Sequence, residues 1–419
     1  MKTLKLKAAM LSSHPPDWPG AMWVGDLDTA ALKDAEHICL QASAGYTRAR
    51  LLVRDGAAVR GFIELEAPDG QISRSALDRA IATLPRAAPR GAPVHLPTIT
   101  VIVCTRDRAS QLRDALQAIL ALNYANFDVV VVDNASRTPE TRELVKSEFA
   151  EARVSLITET IPGLSRARNT GLRAATGEIV AYTDDDVIVD SDWLTELAAG
   201  FARGPSIDCV TGLVPSGELR TRAQGYFDGR VSWSNNLLPR TYSLADPPAD
   251  LPMFPFSIGE FGTGANFALR RRAALDLGGF DTALGVGTRT GGGEDIDMFT
   301  RVILDGRTLV MQPSAIVWHR HRDDIAALRL QARGYGTGLG AWLTKLLLNP
   351  RTARMALVRS PHALSRLISL AWRKPASSRA EGPAATAEWD REISRVGWLE
   401  LLCVARGPFS YALQRRSDG

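Results

Sequence analysis

Glu178-Ile179-Val180-Ala181-Tyr182-Thr183-Asp184-Asp185-Asp186 runs from apolar residues into three consecutive carboxylates. The apolar part reads as a buried strand, and the acids fall where it ends. Carboxylates crowded at a strand tip repel one another unless a positive charge sits among them. A hard divalent cation with oxygen ligands supplies that charge. A solvated acidic loop or a helix-capping cluster is the other reading of the same triplet.

Outward from this stretch, strands and helices alternate. Residues 98–104 form a β-branched run, residues 110–122 place Leu112, Ala115, Leu116 and Ile119 in helical spacing, and residues 127–132 are a strand that is apolar apart from Asp128. Thr138-Pro139 offers an N-cap and a first-turn proline for a helix reaching about residue 150. A strand at 154–158, a helix near 165–175, the acidic strand, a helix capped at Ser191 and a strand at 207–214 continue the series. The pattern predicts an α/β fold, a mostly parallel sheet sandwiched by helices, with ligands bound outside the carboxyl ends of the strands. Thr105-Arg106-Asp107, Asp133-Asn134 and Asp184 to Asp186 all fall at those ends.

The flanks differ. Residues 1–92 predict a small N-terminal α+β domain: strands at 50–54 and 61–65 flank the hairpin signal Asp55-Gly56, and a short helix covers 75–84. A Pro/Gly-dense linker at 84–93 leads into the sheet domain, which spans 93–322. Within it, residues 219–255 are irregular and rich in Trp, Tyr, Asn and Pro, and a loop of that length points to function. Residues 323–419 read as a basic helical extension, with apolar faces at 325–335, 339–348, 355–372 and 393–413 and a spacer at 377–387.

The 419-residue chain carries a formal charge of only +4. From Arg320 onward, however, roughly 17 Lys/Arg stand against about 8 Asp/Glu, an asymmetry that suits an anionic surface. Leu346-Leu347-Leu348, Leu367-Ile368 and Trp372-Arg373-Lys374 mix apolar and cationic residues as interfacial helices do. No stretch approaches the length of a membrane span and the N-terminus lacks a signal-peptide core, so the expected location is the cytoplasm, peripheral on the inner membrane. Cys39, Cys104, Cys209 and Cys403 have no metal or redox spacing and read as reduced core residues.

Several segments carry chemistry. Arg106 and Arg108 at the first strand end suit a diphosphate, or are plain surface charges. Asp133 is placed to accept from a ribose hydroxyl or base N–H, or to close an Asx-turn with Ser136. Arg168 and Asn169 lie on the helix before the acidic strand. No GxGxxG follows the first strand, which argues against a dinucleotide oxidoreductase, and the absence of a Gly-rich phosphate loop there argues against a nucleotidyltransferase.

Five ordered pieces, VIVCTRDR, VVVDNAS, GLSRARNTGLRAATGEIVAYTDDDV, GTGANFALRR and GGGEDIDMFTRV, together resemble glycosyltransferase family 2 between about residues 98 and 321. The resemblance implies a GT-A (Rossmann-like) fold, a nucleotide diphosphate-sugar donor and Mn²⁺ or Mg²⁺. On it, Asp184 and Asp186 match the DXD pair, the second as metal ligand and the first as a ribose or metal-water contact; the extra Asp185 leaves the ligand among the three open. Thr105, Asp133 and Arg168 match positions that hold base, ribose and phosphates, and Arg106, Arg108, Asn134, Asn169 and Asp185 complete the donor set. His319, in Trp318-His319-Arg320-His321, is the implied third metal ligand, with an ordinary polar strand end as the alternative.

Glu294-Asp295 resembles the family's ED motif. A carboxylate there takes the proton of an acceptor hydroxyl attacking the anomeric carbon, while metal and arginines balance the departing diphosphate. Asp295 is the expected base and Glu294 its neighbour on acceptor or phosphate, the reverse remaining open. The preceding Gly291-Gly292-Gly293 is expected to flex and close over substrate, and Gly264 and Asn266 to line a sugar or acceptor pocket. The implied activity is inverting, metal-dependent sugar transfer to a glycan or lipid-linked glycan in bacterial cell-surface polysaccharide assembly, with no nucleic-acid partner. A catalytically silent sugar-nucleotide or glycan-binding module is the alternative.

Overall fold

Ahead of the main sheet, short alternating strands form two small sheets in the computed structural model, which describes residues 2–12, 14–87, 96–150, 152–359 and 383–418. Strands β1 (Lys2–Leu6), β3 (Ala35–Leu40) and β6 (Gln71–Ile72) make one; β2 (Trp23–Asp28), β4 (Arg48–Asp55) and β5 (Ala58–Glu66) make the other. The β4–β5 hairpin turns at Gly56, whose φ of 61° favours glycine. Helix α1 (Arg74–Ala82) starts where the Ser73 hydroxyl accepts the Ala76 N–H.

Leu27, Ile38, Leu51, Ile63 and Leu77 form a core of their own. Val24, Leu52 and Val59 instead pack into the cluster under the main sheet. An Arg54–Asp190 ion pair of 2.9 Å and an Arg50–Asp228 pair cross the same junction. The expected linker lies largely outside the described residues.

The main sheet begins with β7 (Ile99–Thr105), β8 (Phe127–Asn134), β9 (Val154–Glu159) and β10 (Ile179–Thr183), joined through α2 (Ala109–Leu120), α3 (Glu140–Glu148) and α4 (Leu164–Ala174). These four strands are parallel, in the order β9-β8-β7-β10. Val101, Val103, Val129 and Val131 pack against Leu112 and Leu116 on one face, while Ile102, Val130 and Val132 pack with Leu172 and Phe299 on the other. Burial on both faces is why β7, β8 and β10 read as largely apolar runs, whereas the edge strand β9 is only half-buried. A Cβ on Gly171 would come within 2.6 Å of Ile102, so α4 sits tightly on the sheet.

Then follow β11 (Val187–Val189), α5 (Trp193–Phe201), β12 (Ile207–Leu213), α6 (Arg222–Arg230), β13 (Arg240–Tyr242), β14 (Asn266–Arg270), α7 (Arg271–Asp276), α8 (Glu294–Leu304) and β15 (Thr308–His319). Asp192, not Ser191, stands at the cap position of α5. The sheet is mixed rather than mostly parallel: β14 enters between β10 and β12, antiparallel to both, and β15 pairs antiparallel with β11 and β13. The connection from β12 to β14 is a long winding segment rather than a single crossover helix, so nothing forces β14 parallel. Part of that segment is ordered as α6. A capping box holds its start, the Thr221 hydroxyl accepting Gln224 N–H and the Gln224 amide oxygen accepting Thr221 N–H.

At the C-terminal end, the two expected helices at 325–335 and 339–348 are one, α9 (Ile325–Leu348). Its glycines do not end it, because they meet neighbouring backbone too closely for any side chain. A Cβ on Gly336 would lie 2.2 Å from the Glu400 carbonyl oxygen, and one on Gly340 2.0 Å from that of Val404. These contacts are with α11 (Pro383–Asp418), which runs parallel to α9. Between them α10 is described over 350–359. The remainder of the expected 355–372 helix lies outside the described residues, as do residues 377–382 of the expected spacer; 383–387 belong to α11.

Candidate functional site

Parallel register puts the polar strand ends side by side. Thr105 pairs with Asp133 across β7 and β8, and Thr183, the last residue of β10, pairs with Val103. The three acids that follow β10 do different things. Asp185 turns inward, its carboxylate accepting from the Thr105 hydroxyl at 2.7 Å and from Arg108 Nη1 at 3.0 Å. Asp184 and Asp186 converge with His319, and the three donor atoms lie within 4.8 Å of one another. The antiparallel β11–β15 pairing brings in the histidine, since Val187 sits opposite His319. Two carboxylates and an imidazole form a donor set that suits Mn²⁺ better than Mg²⁺.

The charge balance explains the protonation tendencies. Burial pushes Asp184 up to about 7, against the pull of Arg168 and with the help of Asp186 and Asp185. Asp185 is raised by burial and by Asp186, against Arg108. For Asp186 burial acts upward, but His319, Arg108 and Arg322 outweigh it and hold the carboxyl below its ordinary value. Burial lowers His319 and favours the neutral ring that a ligand must be. The cluster therefore keeps a proton near neutrality that a cation would replace.

The second acidic site begins α8. Gly291 and Gly293 have φ of 69° and 93°, a region that favours glycine, and they turn the chain so that Glu294 and Asp295 open the helix. The expected flexing loop is instead clamped: a Cβ on Gly293 would lie 2.8 Å from the Gly338 carbonyl oxygen, and one on Gly291 would lie 3.1 Å from Gly334 Cα. Glu294 is buried, accepts from Arg168 Nη1 at 3.2 Å, and is pushed up to about 7 by burial and Asp295, against Arg168. Asp295 is half-buried, and its Oδ2 accepts the Gly264 N–H at 2.8 Å.

Arg168 joins the two sites. Besides Glu294 it donates to the Gly264 carbonyl at 3.0 Å and approaches Asp184 Oδ1 at 3.6 Å, with 3% of its side chain exposed. A Cβ on Gly264 would meet Arg168 Nη2 at 2.9 Å, so this position needs its close backbone approach.

Most of the other expected site residues make contacts of their own within the described residues. Asp133 accepts the Ser136 N–H at 3.3 Å, the Asx-type contact. Asn134 ties the α4 entry loop, accepting from Gly163 N–H and donating to the Ile161 carbonyl. Asn169 holds both polar backbone groups of Phe280. Asn266 is buried and crosslinks the sheet, accepting from Trp193 Nε1 and donating to the Leu213 and Ala315 carbonyls, so it does not line an open pocket. Arg106 is exposed beyond β7. Missed by sequence reasoning were Arg322, 3.8 Å from Asp186, and His321, whose Nδ1 lies 3.2 Å from His319 Nδ1. The alternating polar residues after Trp318 were the signal available.

The sequence model of glycosyl transferase family 2 matches residues 100–278. A pre-mycofactocin glycosyltransferase of Mycobacterium tuberculosis (strain H37Rv) is 27% identical over 391 residues, 87% of this chain and 74% of the relative. The succinoglycan biosynthesis protein ExoM of Rhizobium meliloti is 30% identical over 298 residues, 69% of this chain and 83% of that protein. Among solved structures, a mannosyltransferase from Pyrobaculum calidifontis, in complex with GDP-Man and Mn²⁺, superposes with a TM-score of 0.50 at 22% identity, covering 76% of this chain and 89% of that one. At that identity the likeness is one of fold.

Proposed function

The chain belongs to glycosyltransferase family 2, and from that premise we propose that it is an inverting, metal-dependent enzyme acting on a nucleotide diphosphate-sugar. The acceptor in this reading is a hydroxyl of a glycan or lipid-linked glycan in bacterial cell-surface polysaccharide assembly. The observation that carries it is the division of labour on either side of Arg168. Asp184, Asp186 and His319 converge on one side, and Asp295 presents a carboxylate on the other.

Asp184, Asp186 and His319 would hold Mn²⁺ or Mg²⁺, which when bound supplies positive charge for the departing diphosphate. Asp295 takes the proton of the acceptor hydroxyl as its oxygen attacks the anomeric carbon and the bond to the diphosphate breaks. Attack opposite the leaving group inverts the anomeric configuration. Arg168 keeps Glu294 and Asp184 from repelling one another and fixes the Gly264 backbone that orients Asp295. Residues 93–322 form the catalytic domain in this reading. The two acid sites are tested by separate substitution: Asp186→Asn removes cation-dependent donor binding, whereas Asp295→Asn leaves donor binding and removes transfer.

We also propose that residues 323–419 rest on the cytoplasmic face of an anionic membrane. Trp398, Leu402, Phe409 and Leu413 are exposed and recur on one face of α11, with exposed Arg391, Arg395, Arg406 and Arg416 on or beside that face. Among the described residues, no helix is long and apolar enough to cross a membrane.

A further inference from the structure

We infer that His321 is a positioning residue that sets the tautomer of His319 and so decides whether His319 can ligate a cation, an inference that rests on the metal reading above. The two rings lie with centroids 5.0 Å apart, and their Nδ1 atoms are 3.2 Å apart. At that distance one nitrogen carries the hydrogen and the other accepts it. The remaining nitrogen of His319, Nε2, faces Asp186 Oδ1 at 3.4 Å, inside the cluster formed with Asp184.

Two arrangements are open to the pair. If His321 Nδ1 donates, the hydrogen of a neutral His319 sits on Nε2, points at Asp186 and blocks ligation. If His321 Nδ1 is bare, His319 carries its hydrogen on Nδ1 and donates it, and the Nε2 lone pair is free for a cation. Ligating histidines ordinarily have their second ring nitrogen fixed by an acceptor in this way. Here the acceptor is another imidazole.

Among the described residues, the His321 side chain makes one hydrogen bond, that with His319. It is 3% exposed, and its Nε2 finds no hydrogen-bond partner among the described residues. Its ring centroid lies 4.6 Å from that of Phe227 on α6 and 5.9 Å from that of Trp233. An apolar side chain would suit this aromatic pocket better, except for the one contact with His319. Gln224, also on α6, donates to the His321 carbonyl at 3.4 Å, so the helix that carries Phe227 also holds the His321 backbone.

The test is Mn²⁺ titration of the full chain by calorimetry, comparing the parent with His321→Asn and His321→Phe. Asn keeps an acceptor near the Nδ1 position; Phe fills the pocket without one. His321→Phe is expected to weaken Mn²⁺ binding by about 10–100-fold and His321→Asn by under about threefold. Equal binding by parent and Phe variant, or equal losses in both variants, overturns the inference. Failure of the parent to bind Mn²⁺ overturns the metal reading and this inference with it. Nitrogen-15 spectra of the parent chain saturated with Zn²⁺, a diamagnetic stand-in, give a readout that needs no variant to fold. His319 should carry its hydrogen on Nδ1 and His321 on Nε2; a hydrogen on His321 Nδ1 overturns the assignment.

Discussion

Nη1 of Arg168 lies 3.2 Å from Oε1 of Glu294, with both side chains buried beneath the two acidic sites. The same guanidinium reaches Asp184 at 3.6 Å and the Gly264 carbonyl at 3.0 Å. One planar cation with several fixed donors can serve three partners at once in a preset geometry. Arg168→Met should therefore cost about 3–5 kcal/mol, because it strands a buried carboxylate. Adding Glu294→Gln should return part of that loss. Urea unfolding of the single and double variants checks both; equal stability of Arg168→Met and parent would show that the pair is not structural.

The clamp between α9 and the Gly291–Gly293 loop gives a second prediction. A Cβ on Gly338 would lie 2.6 Å from the Gly292 carbonyl carbon, against backbone that cannot swing aside. Gly338→Ala should destabilise the fold by about 1–3 kcal/mol and shift the loop that presents Asp295. Turnover should fall while Mn²⁺ affinity, set on the other side of Arg168, stays at the parent value. A variant with parental kcat would show that the contact does not position the base.

Protonation of the acid cluster makes cation binding pH-dependent. Burial raises Asp184 to about 7, against Arg168, so below that pH a cation must displace a proton. Apparent Mn²⁺ affinity should drop by up to about tenfold per pH unit below 7 and level off above it. For the cation-free fold, the contribution of this raised carboxyl is present below about pH 4 and is lost as pH rises to about 7. Titration calorimetry at pH 6 and pH 8 checks the binding part; equal affinities would contradict it.

The stripe Trp398, Leu402, Phe409 and Leu413 predicts vesicle binding. The full chain should sediment with phosphatidylglycerol vesicles and release as salt is raised, since basic residues act over the Debye length. Leu402→Glu with Phe409→Glu should lower the bound fraction several-fold, without touching the acid sites. Sedimentation unchanged by the double substitution would place the membrane contact elsewhere or nowhere.

Much of this architecture was legible because local pattern and fold agree. The 98–104 and 127–132 runs carry apolar residues on both faces, broken only near their starts by Thr98, Thr100 and Asp128, which is the signature of strands buried between helices, and Asp184 to Asp186 fall at the strand end where ligands gather. Asn266 misled because a polar side chain beside Gly264 suggests a pocket; only the fold shows Trp193, Leu213 and Ala315 consuming its amide. The antiparallel entry of β14 was not legible, since strand direction depends on how a long connection winds. Helix α6 was legible in principle through Thr221 and Gln224, but the aromatic and proline content of the segment masked the capping box. The glycines of 291–293 looked like a hinge because sequence cannot distinguish freedom from close contact, and Gly334 and Gly338 lie more than 40 residues downstream.

The decisive measurement is release of nucleoside diphosphate from a panel of nucleotide sugars, with a mixed glycan acceptor pool, in Mn²⁺ or in chelator. At least one donor should be consumed in Mn²⁺ by the parent chain, with release reduced by about 100-fold or more in chelator, in Asp186→Asn and in Asp295→Asn. Of the two variants, only Asp295→Asn should still bind that donor with Mn²⁺. Release that persists unchanged in chelator and in Asp186→Asn would contradict a metal-dependent transfer at Asp184, Asp186 and His319.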